Sequence, residues 1–350
     1  LWGGTSRLSV GPTALTCLLI AASLQGMAQP ASAEWVALAV WLALFSGAIQ
    51  LVLGLLRAGW LVNMISAPVL AGFTQAAGVL IIGSQLPALL GMQGPLSSVL
   101  EQPHFHLGAL AFGLGTVLLL WLAKRYFPRW PTVLGVVAVS GVVSYATGFE
   151  NAGGAVVGAL PVGLPDLYFP PLLPWSVLSQ LIVPSMVIAL VSFLEVASSA
   201  KVQSQQDGSL WNDNQDLVAQ GLAKIASACS GSFATSTSFS RSAINMVAGA
   251  RTGWSALIST GFVLLALLFL MPALHFIPMS VLAAIVIVAV SGLIQPMNFA
   301  RLWRISRTES LTSFATFALT LATAPRIYWG VLAGVMLGLI DFLYLRLHPR

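Results

Sequence analysis

The sequence predicts an all-α protein that crosses a membrane many times. Of its 350 residues, 57% are hydrophobic and only 7% are charged, whereas soluble domains carry roughly 25% charged residues. The apolar residues occur in long continuous runs, close to the ~20 residues that a helix needs to cross a bilayer. Because so few charges cannot cover a soluble surface of this size, lipid must surround most of the protein.

Twelve apolar segments account for the predicted membrane crossings. Ten are clear, and they span residues 9–28, 35–56, 65–90, 107–123, 131–148, 176–200, 255–276, 277–294, 309–324 and 327–345. Two weaker ones, 214–229 and 237–250, are shorter and interrupted by serine, glycine and polar residues. Lys224 and Arg241 fall inside segments. With all twelve counted, every other Lys and Arg except Arg326 lies on the cytoplasmic side, as the positive-inside rule expects.

Three stretches outside the segments are informative. Residues 149–175 contain several prolines, which disfavour a regular helix, so we expect an extended cover over the outer face. Residues 296–308 are basic and amphipathic, which predicts a helix lying in the membrane interface. The sequence opens at Leu1 on a run typical of the middle of a longer chain, so we expect further membrane segments before it.

Several function classes are disfavoured by the residues present. The formal net charge is +5, but the basic residues are scattered between apolar runs and form no stripe suited to nucleic acid. Cys17, Cys229 and the four histidines show no metal-ligand spacing. The segments contain neither an HExxH pair nor a GxSxG elbow, so the sequence argues against a membrane enzyme, a cofactor or a resident metal.

An intramembrane arginine marks the first candidate site. Arg241 lies in a run of hydroxyl residues, and Gly231 with its small neighbours ends the preceding helix. We expect the next helix to resume from about Ser242 at mid-membrane, where its unpaired N–H groups and its dipole favour an anion. The hydroxyls of Ser238, Ser240 and Ser242 would line the same pocket. The alternative is that Arg241 snorkels, or pairs with a carboxylate to hold helices together.

The entry to segment 9–28 has the same character. Residues 5–13 are rich in hydroxyl side chains, and Pro12 suits the first turn of a helix. Two interrupted segments in corresponding places of two halves are the sequence pattern of a transporter site built from an inverted repeat. We therefore expect the two interrupted helices to aim their N-termini at a shared point halfway through the bilayer.

An intramembrane carboxylate marks the second candidate site. Glu195 shares one helix face with Ser192 and Ser199. A bare carboxylate at mid-helix costs about 2.5–3.5 kcal/mol on insertion scales, so the group must be protonated, paired or holding a cation. These alternatives correspond to a proton carrier, a structural partner of Arg241 and a sodium site.

Six stretches of the chain form an ordered series that is more specific than any single motif. They are SRLSVGPTAL (6–15), SAPVLAGFTQAAGVLIIGSQL (66–86), SFLEVASS (192–199), NQDLVAQGLAKI (214–225), SFSRSAINMVAGARTGWSALIS (238–259) and YWGVLAGVMLG (328–338). The series resembles the SulP family of sulfate permeases and sulfate-type anion exchangers. The resemblance covers essentially the whole chain and is strongest at the S-x-S-R-S core and the G-A-R-T that follows it.

The resemblance implies fourteen membrane segments in two inverted repeats of seven, divided into core and gate domains as in the uracil transporter. Twelve of the fourteen would be present here. Residues 1–148 would be the remainder of the first repeat, 149–175 the connection and 176–350 the second repeat. The family's first two segments and its cytoplasmic STAS domain would lie outside this chain.

The resemblance also implies site residues. The family's short third and tenth helices point their N-termini at each other across the anion, and Glu195 falls at an acidic position linked with cation coupling. The implied anion-binding residues are Ser9, Val10, Gly11, Pro12 and Thr13, opposite Thr237, Ser238, Ser240, Arg241 and Ser242.

The predicted function is secondary active transport of a small anion by alternating access, with sulfate as the first expectation and a proton coupled through Glu195. A sodium-coupled bicarbonate or dicarboxylate transporter is the alternative within the family. An uncoupled anion channel and a nucleobase permease are the alternatives outside it. The expected partners are the anion, membrane lipid and a second copy of the chain in a homodimer, located in the cytoplasmic (inner or plasma) membrane.

Overall fold

The computed structural model describes residues 3–30, 32–60, 67–92, 106–126, 131–160, 163, 167–208, 210–324 and 326–347. These residues form helices α1 (Ala14–Leu24), α2 (Ala33–Leu55), α3 (Ala67–Leu89), α4 (Leu107–Tyr126), α5 (Thr132–Thr147), α6 (Trp175–Asp207), α7 (Asp213–Cys229), α8 (Phe239–Val247), α9 (Trp254–Phe269), α10 (Met271–Leu274), α11 (Met279–Ser291), α12 (Met297–Ile305), α13 (Arg307–Ala322) and α14 (Tyr328–Leu347). Two short strands, β1 (Val10–Gly11) and β2 (Ser236–Thr237), complete the fold.

Local sequence explains where several helices begin and end. Ser32, Asn212 and Ser306 cap α2, α7 and α13, and each side-chain oxygen accepts a hydrogen bond from the backbone N–H three residues later. Such caps satisfy donors that the first helical turn leaves free. Gly148 and Gly208 end α5 and α6 with φ of 62° and 65°, a left-handed conformation that glycine adopts without steric cost.

The predicted all-α character is confirmed, and each of the twelve apolar segments contains a helix. The prediction of one helix over 255–276 is wrong, because α9 ends at Phe269 and the short α10 begins at Met271. Pro272 lies in the first turn of α10, a position where its missing N–H costs little. Within the stretch 296–308 a helix is observed as α12, which ends at Ile305, and Arg307 already begins α13. The position of α12 in the membrane interface stays a prediction.

Three of the described helices are long and apolar enough to cross a membrane by their length and composition: α2, α3 from Pro68 to Leu89, and α6 from Trp175 to Gln205. Several others are apolar but shorter. In the predicted connection 149–175, the described residues contain no helix before α6 begins at Trp175. Residues 161, 162 and 164–166 of that connection lie outside the described part of the chain.

The chain divides into two compact units, and the first comprises residues 1–77, 165–261 and 296–350. In this unit α2 packs against α6 and α7, α1 packs against α6, and α13 packs against α12 and α14. The closest approach of α2 and α7 depends on glycine. A Cβ added to Gly221 would lie 2.7 Å from the carbonyl oxygen of Gly47, so only hydrogen fits there. Small residues of this kind let membrane helices pack backbone to backbone.

The second unit comprises residues 78–164 and 262–295. Here α4 packs against α5 and α11. Residues that follow α5 form backbone hydrogen bonds with the start of α11 and the residues just before it. The Val157 N–H donates to the Ile277 carbonyl at 3.0 Å, and the Met279 N–H donates to the Ala155 carbonyl at 2.9 Å. These bonds tie part of the proline-rich connection to α11.

Replacing Gly221 with alanine is expected to lower the thermal unfolding midpoint, because the added methyl would force α2 and α7 apart. Overpacking of this kind costs about 1–3 kcal/mol. The matched control is Gly115→Ala on α4, where no described neighbouring atom lies within 4 Å of the added Cβ. Alanine has the better helix propensity, so the control should keep or raise the midpoint. Equal midpoints for the two variants in detergent would contradict the close packing.

Candidate functional site

The candidate site is organised by a pairing of two short strands. β1 and β2 are antiparallel, with Val10 opposite Thr237 and Gly11 opposite Ser236. The pairing continues into the next residue, where the Ser238 N–H donates to the Ser9 carbonyl at 3.0 Å. Because the strands are antiparallel and each leads directly into a helix, α1 and α8 leave the pair in opposite directions. Their N-termini therefore converge on the strand pair.

Both helices carry hydroxyl caps at this point. Thr13 caps α1, its Oγ1 accepting from the Thr16 N–H at 3.3 Å, and Ser238 caps α8, its Oγ accepting from the Arg241 N–H at 3.4 Å. The expected start of the second helix at about Ser242 is wrong, because the Ser238 cap starts α8 at Phe239. Arg241 consequently lies in the first turn, where free N–H groups and the positive end of the dipole lie.

Pro12 is not part of the first turn of α1, contrary to the sequence-based expectation. The helix begins at Ala14, after the Thr13 cap. Pro12 is exposed, and its carbonyl oxygen accepts hydrogen bonds from Arg241. It therefore contributes to the site through its backbone.

The Arg241 side chain reaches across to the two residues that flank β1. Its Nε donates to the Ser9 hydroxyl at 3.3 Å, and both terminal nitrogens donate to the Pro12 carbonyl at 3.2 Å. Gly11 permits this approach, because a Cβ there would lie 3.0 Å from a terminal nitrogen of Arg241. Among the described residues the guanidinium has no carboxylate within ion-pair distance.

The remaining predicted anion-binding residues differ in accessibility. Val10 is 45% exposed, whereas Thr237 and Ser242 are buried. The Ser242 hydroxyl accepts from the Ser9 N–H at 3.0 Å, and the Thr237 hydroxyl has no partner among the described residues. Ser240 belongs to the first turn of α8, and its side chain lies outside what the structure describes.

A cavity of about 270 Å³ borders this cluster. Its polar lining comes from Ser9, which precedes β1, from Arg241 and Asn245 on α8, and from Ser255 and Ser259 on α9. The Ser255 hydroxyl donates to the Asn245 amide oxygen. All of these residues belong to the first unit. The cavity combines one exposed guanidinium with neutral donors, a set that suits a small anion.

Glu195 lies deep in the same unit and contacts both strand–helix segments. Its side chain is 2% exposed. Oε2 accepts from the Thr13 hydroxyl at 3.2 Å and from the Ser236 hydroxyl. The side chain of Thr13, which was predicted to bind the anion, donates to this carboxylate, and anion binding by Thr13 stays a prediction. Ser236 lies in the hydroxyl-rich run that contains Arg241, but it was not predicted as a site residue.

The two serines predicted beside Glu195 have different surroundings. Both are buried. The Ser199 hydroxyl has no hydrogen-bond partner among the described residues. The Ser192 hydroxyl donates to the Ile188 carbonyl at 2.6 Å and accepts from Lys224 Nζ at 2.7 Å. Ser192 therefore connects α6 to a residue that sequence reasoning passed over.

Lys224 and Gln50 are two buried polar residues to which the sequence analysis gave no role. Lys224 is fully buried on α7, and its Nζ donates to the Gln50 side-chain oxygen at 2.6 Å. The available signals were a single lysine inside a predicted membrane segment and a single amide inside segment 35–56. Periodicity places each residue on its own helix but says nothing about which helices meet.

Comparison with known proteins identifies the family. Residues 1–316 match the sequence model of the sulfate permease family. A probable sulfate transporter of Mycobacterium tuberculosis is 32% identical over 361 residues, covering 100% of this chain and 63% of that protein. The sodium-independent sulfate anion transporter of Bos taurus is 31% identical over 391 residues, covering 99% of this chain and 63% of that protein. The chain thus spans less than two thirds of the length of these relatives.

Solved structures show the same fold. The murine Solute Carrier 26 family member A9 anion transporter in the inward-facing state superposes with a TM-score of 0.89 at 20% identity, covering 98% of this chain and 61% of that chain. The transmembrane domain of the cyanobacterial bicarbonate transporter BicA superposes with a TM-score of 0.80 at 22% identity, covering 97% of this chain and 85% of that chain.

The matched relatives are named as transporters rather than as enzymes. The family match and the long apolar helices make this chain an integral membrane protein. The sequence-based resemblance to the SulP family is confirmed by the match over residues 1–316. The chain belongs to the sulfate permease family.

Proposed function

We propose that this chain forms a secondary active transporter for a small anion that works by alternating access. One observation carries the proposal: the pairing of β1 with β2 brings the N-termini of α1 and α8 to the exposed guanidinium of Arg241. Helix N-termini and a guanidinium both stabilise negative charge, and their effect is larger where water is scarce.

Sulfate is the first candidate substrate. The similar proteins of Mycobacterium tuberculosis and Bos taurus are named for sulfate, and BicA is named for bicarbonate. Bicarbonate and dicarboxylates are therefore the next candidates. We also propose that the protein functions as a homodimer, surrounded by lipid, in the cytoplasmic (inner or plasma) membrane.

Glu195 is the proposed coupling residue. Moving a divalent anion inward against 100 mV costs about 4.6 kcal/mol, so accumulation of sulfate requires a co-transported cation. Glu195 bonds to Thr13 at the start of α1 and to Ser236 in β2, which belong to the two segments that form the anion site. A proton on the carboxyl turns an acceptor into a donor and so alters both contacts. A proton is the proposed coupling ion, with sodium as the alternative.

Arg241→Ala is expected to reduce uptake of labelled sulfate into proteoliposomes of the full-length protein by about tenfold or more, because hydrogen bonds to charged groups contribute about 1.5–3 kcal/mol. Arg301→Ala removes an equal charge from the exposed face of α12 and is the matched control, expected to transport normally. Bicarbonate and succinate are tested alongside sulfate. Wild-type uptake of every anion by the Arg241 variant would remove this residue from the site.

Glu195→Gln is expected to make uptake independent of imposed pH and sodium gradients while anion binding persists. Glutamine keeps the shape and one acceptor oxygen of the side chain but cannot take up a proton or supply a charge. Glu34→Gln, at an exposed position in the first turn of α2, serves as the control and should keep the gradient response of the wild type. Persistent gradient dependence in the Glu195 variant would refute the coupling assignment.

A further inference from the structure

A lysine ammonium is buried near the carboxylate that the proposed function uses for coupling. Lys224 is fully buried, and its Nζ donates to two neutral oxygens, the Gln50 side-chain oxygen at 2.6 Å and the Ser192 hydroxyl at 2.7 Å. Ser192 precedes Glu195 by one turn of α6, so the ammonium contacts the helix face that carries the carboxylate. Neutral oxygens close to a carboxylate are the ligands that hard cations prefer.

The two oxygens are held in place by further hydrogen bonds. The Gln50 amide nitrogen donates to the Ala189 carbonyl at 2.7 Å and to the Ser192 hydroxyl at 3.0 Å, which leaves the amide oxygen directed at Lys224. The Ser192 hydroxyl donates its own proton to the Ile188 carbonyl at 2.6 Å, which leaves a lone pair for the ammonium. Both oxygens are therefore oriented to receive a cation.

Lys224 cannot move its charge to the surface. The stem of its side chain leaves α7 beside the closest approach of α2 and α7, where a Cβ on Gly47 would lie 2.9 Å from the Lys224 Cβ. Long side chains at helix ends can extend to the interface, but this one is enclosed along its whole length. A buried charge requires an opposite charge or several dipoles nearby. Glu195 and the two oriented oxygens meet that requirement.

We infer that the Lys224 ammonium is a resident cation of the Glu195 region and excludes sodium from it. The inference rests on the proposed coupling role of Glu195 and selects between its two candidate ions. A sodium ion beside Glu195 would stand close to the Lys224 ammonium, and the two positive charges would repel each other at low dielectric. Three ionisable groups among the described residues interact electrostatically with Glu195: Lys224 on α7, Arg241 on α8 and the Cys17 thiol on α1.

Removing the ammonium should convert the region into a sodium site. In Lys224→Met the side chain keeps its approximate length but loses its charge, while the Gln50 and Ser192 oxygens and the Glu195 carboxylate remain. The first experiment measures thermal unfolding of the full-length protein in detergent with sodium, potassium or choline chloride. The matched control is Lys201→Met, at an exposed position on the same α6 that carries Glu195.

The wild type and Lys201→Met are expected to unfold at the same temperature in all three salts. Lys224→Met is expected to gain about 2 °C or more in sodium alone once sodium exceeds its dissociation constant by about tenfold. The double variant Lys224→Met with Glu195→Gln should lose that gain. A sodium-specific gain in the wild type, or none in Lys224→Met, would overturn the inference.

Transport provides the second readout. Wild-type proteoliposomes should accumulate labelled sulfate equally in sodium and choline and should carry no labelled sodium, whereas Lys224→Met should need sodium, with uptake rising about tenfold or more when it is added. Co-transport of labelled sodium by the wild type would overturn the inference, whatever the behaviour of the variants. If Lys224→Met does not fold, Lys224→Gln replaces it in the unfolding series. If no variant transports any anion, the proposed function fails while the unfolding series still decides the sodium question.

Discussion

The hydrogen-bonded pair of β1 and β2 is the constraint on which the rest of the site depends. A helix interrupted inside a membrane exposes backbone N–H and C=O groups, and lipid offers them no partners. Here two non-helical segments satisfy each other's backbone groups, with Val10 paired to Thr237 and Gly11 to Ser236. The same pairing sets the directions of α1 and α8 and brings Arg241 to the Pro12 carbonyl. The same strand pairing therefore satisfies the backbone hydrogen-bonding groups and assembles the electropositive site.

Buried charge is distributed so that each group has oriented dipoles around it. Glu195 receives two hydroxyl hydrogen bonds, and Lys224 gives two to neutral oxygens. Because Thr13 and Ser236 belong to the strand–helix segments, the state of the carboxyl is tied to the geometry of the proposed anion site. The close packing of α2 on α7 keeps the lysine enclosed. Packing, electrostatics and proposed coupling therefore converge on one part of the first unit.

The helices and the first candidate site could be inferred from sequence because lipid makes polar residues rare and informative. Arg241 and Glu195 stood out for that reason, and the long apolar runs marked the helices. Helix ends were less predictable, since the start of α8 at Phe239 depends on the Ser238 cap and the break after Phe269 interrupts a run of continuous hydrophobicity. Apolar periodicity carries no signal for either event.

By itself, the sequence determined the membrane-spanning helical class, the family resemblance and the few intramembrane polar residues, which stand out because burying them in lipid is costly. Only the tertiary structure decided their partners: Glu195 with Thr13 and Ser236, and Lys224 with Gln50 across a separation of 174 residues. The physical reason is that partners on different helices depend on interhelical register. That register is set by backbone contacts such as the one between α2 and α7, which no single-helix pattern encodes.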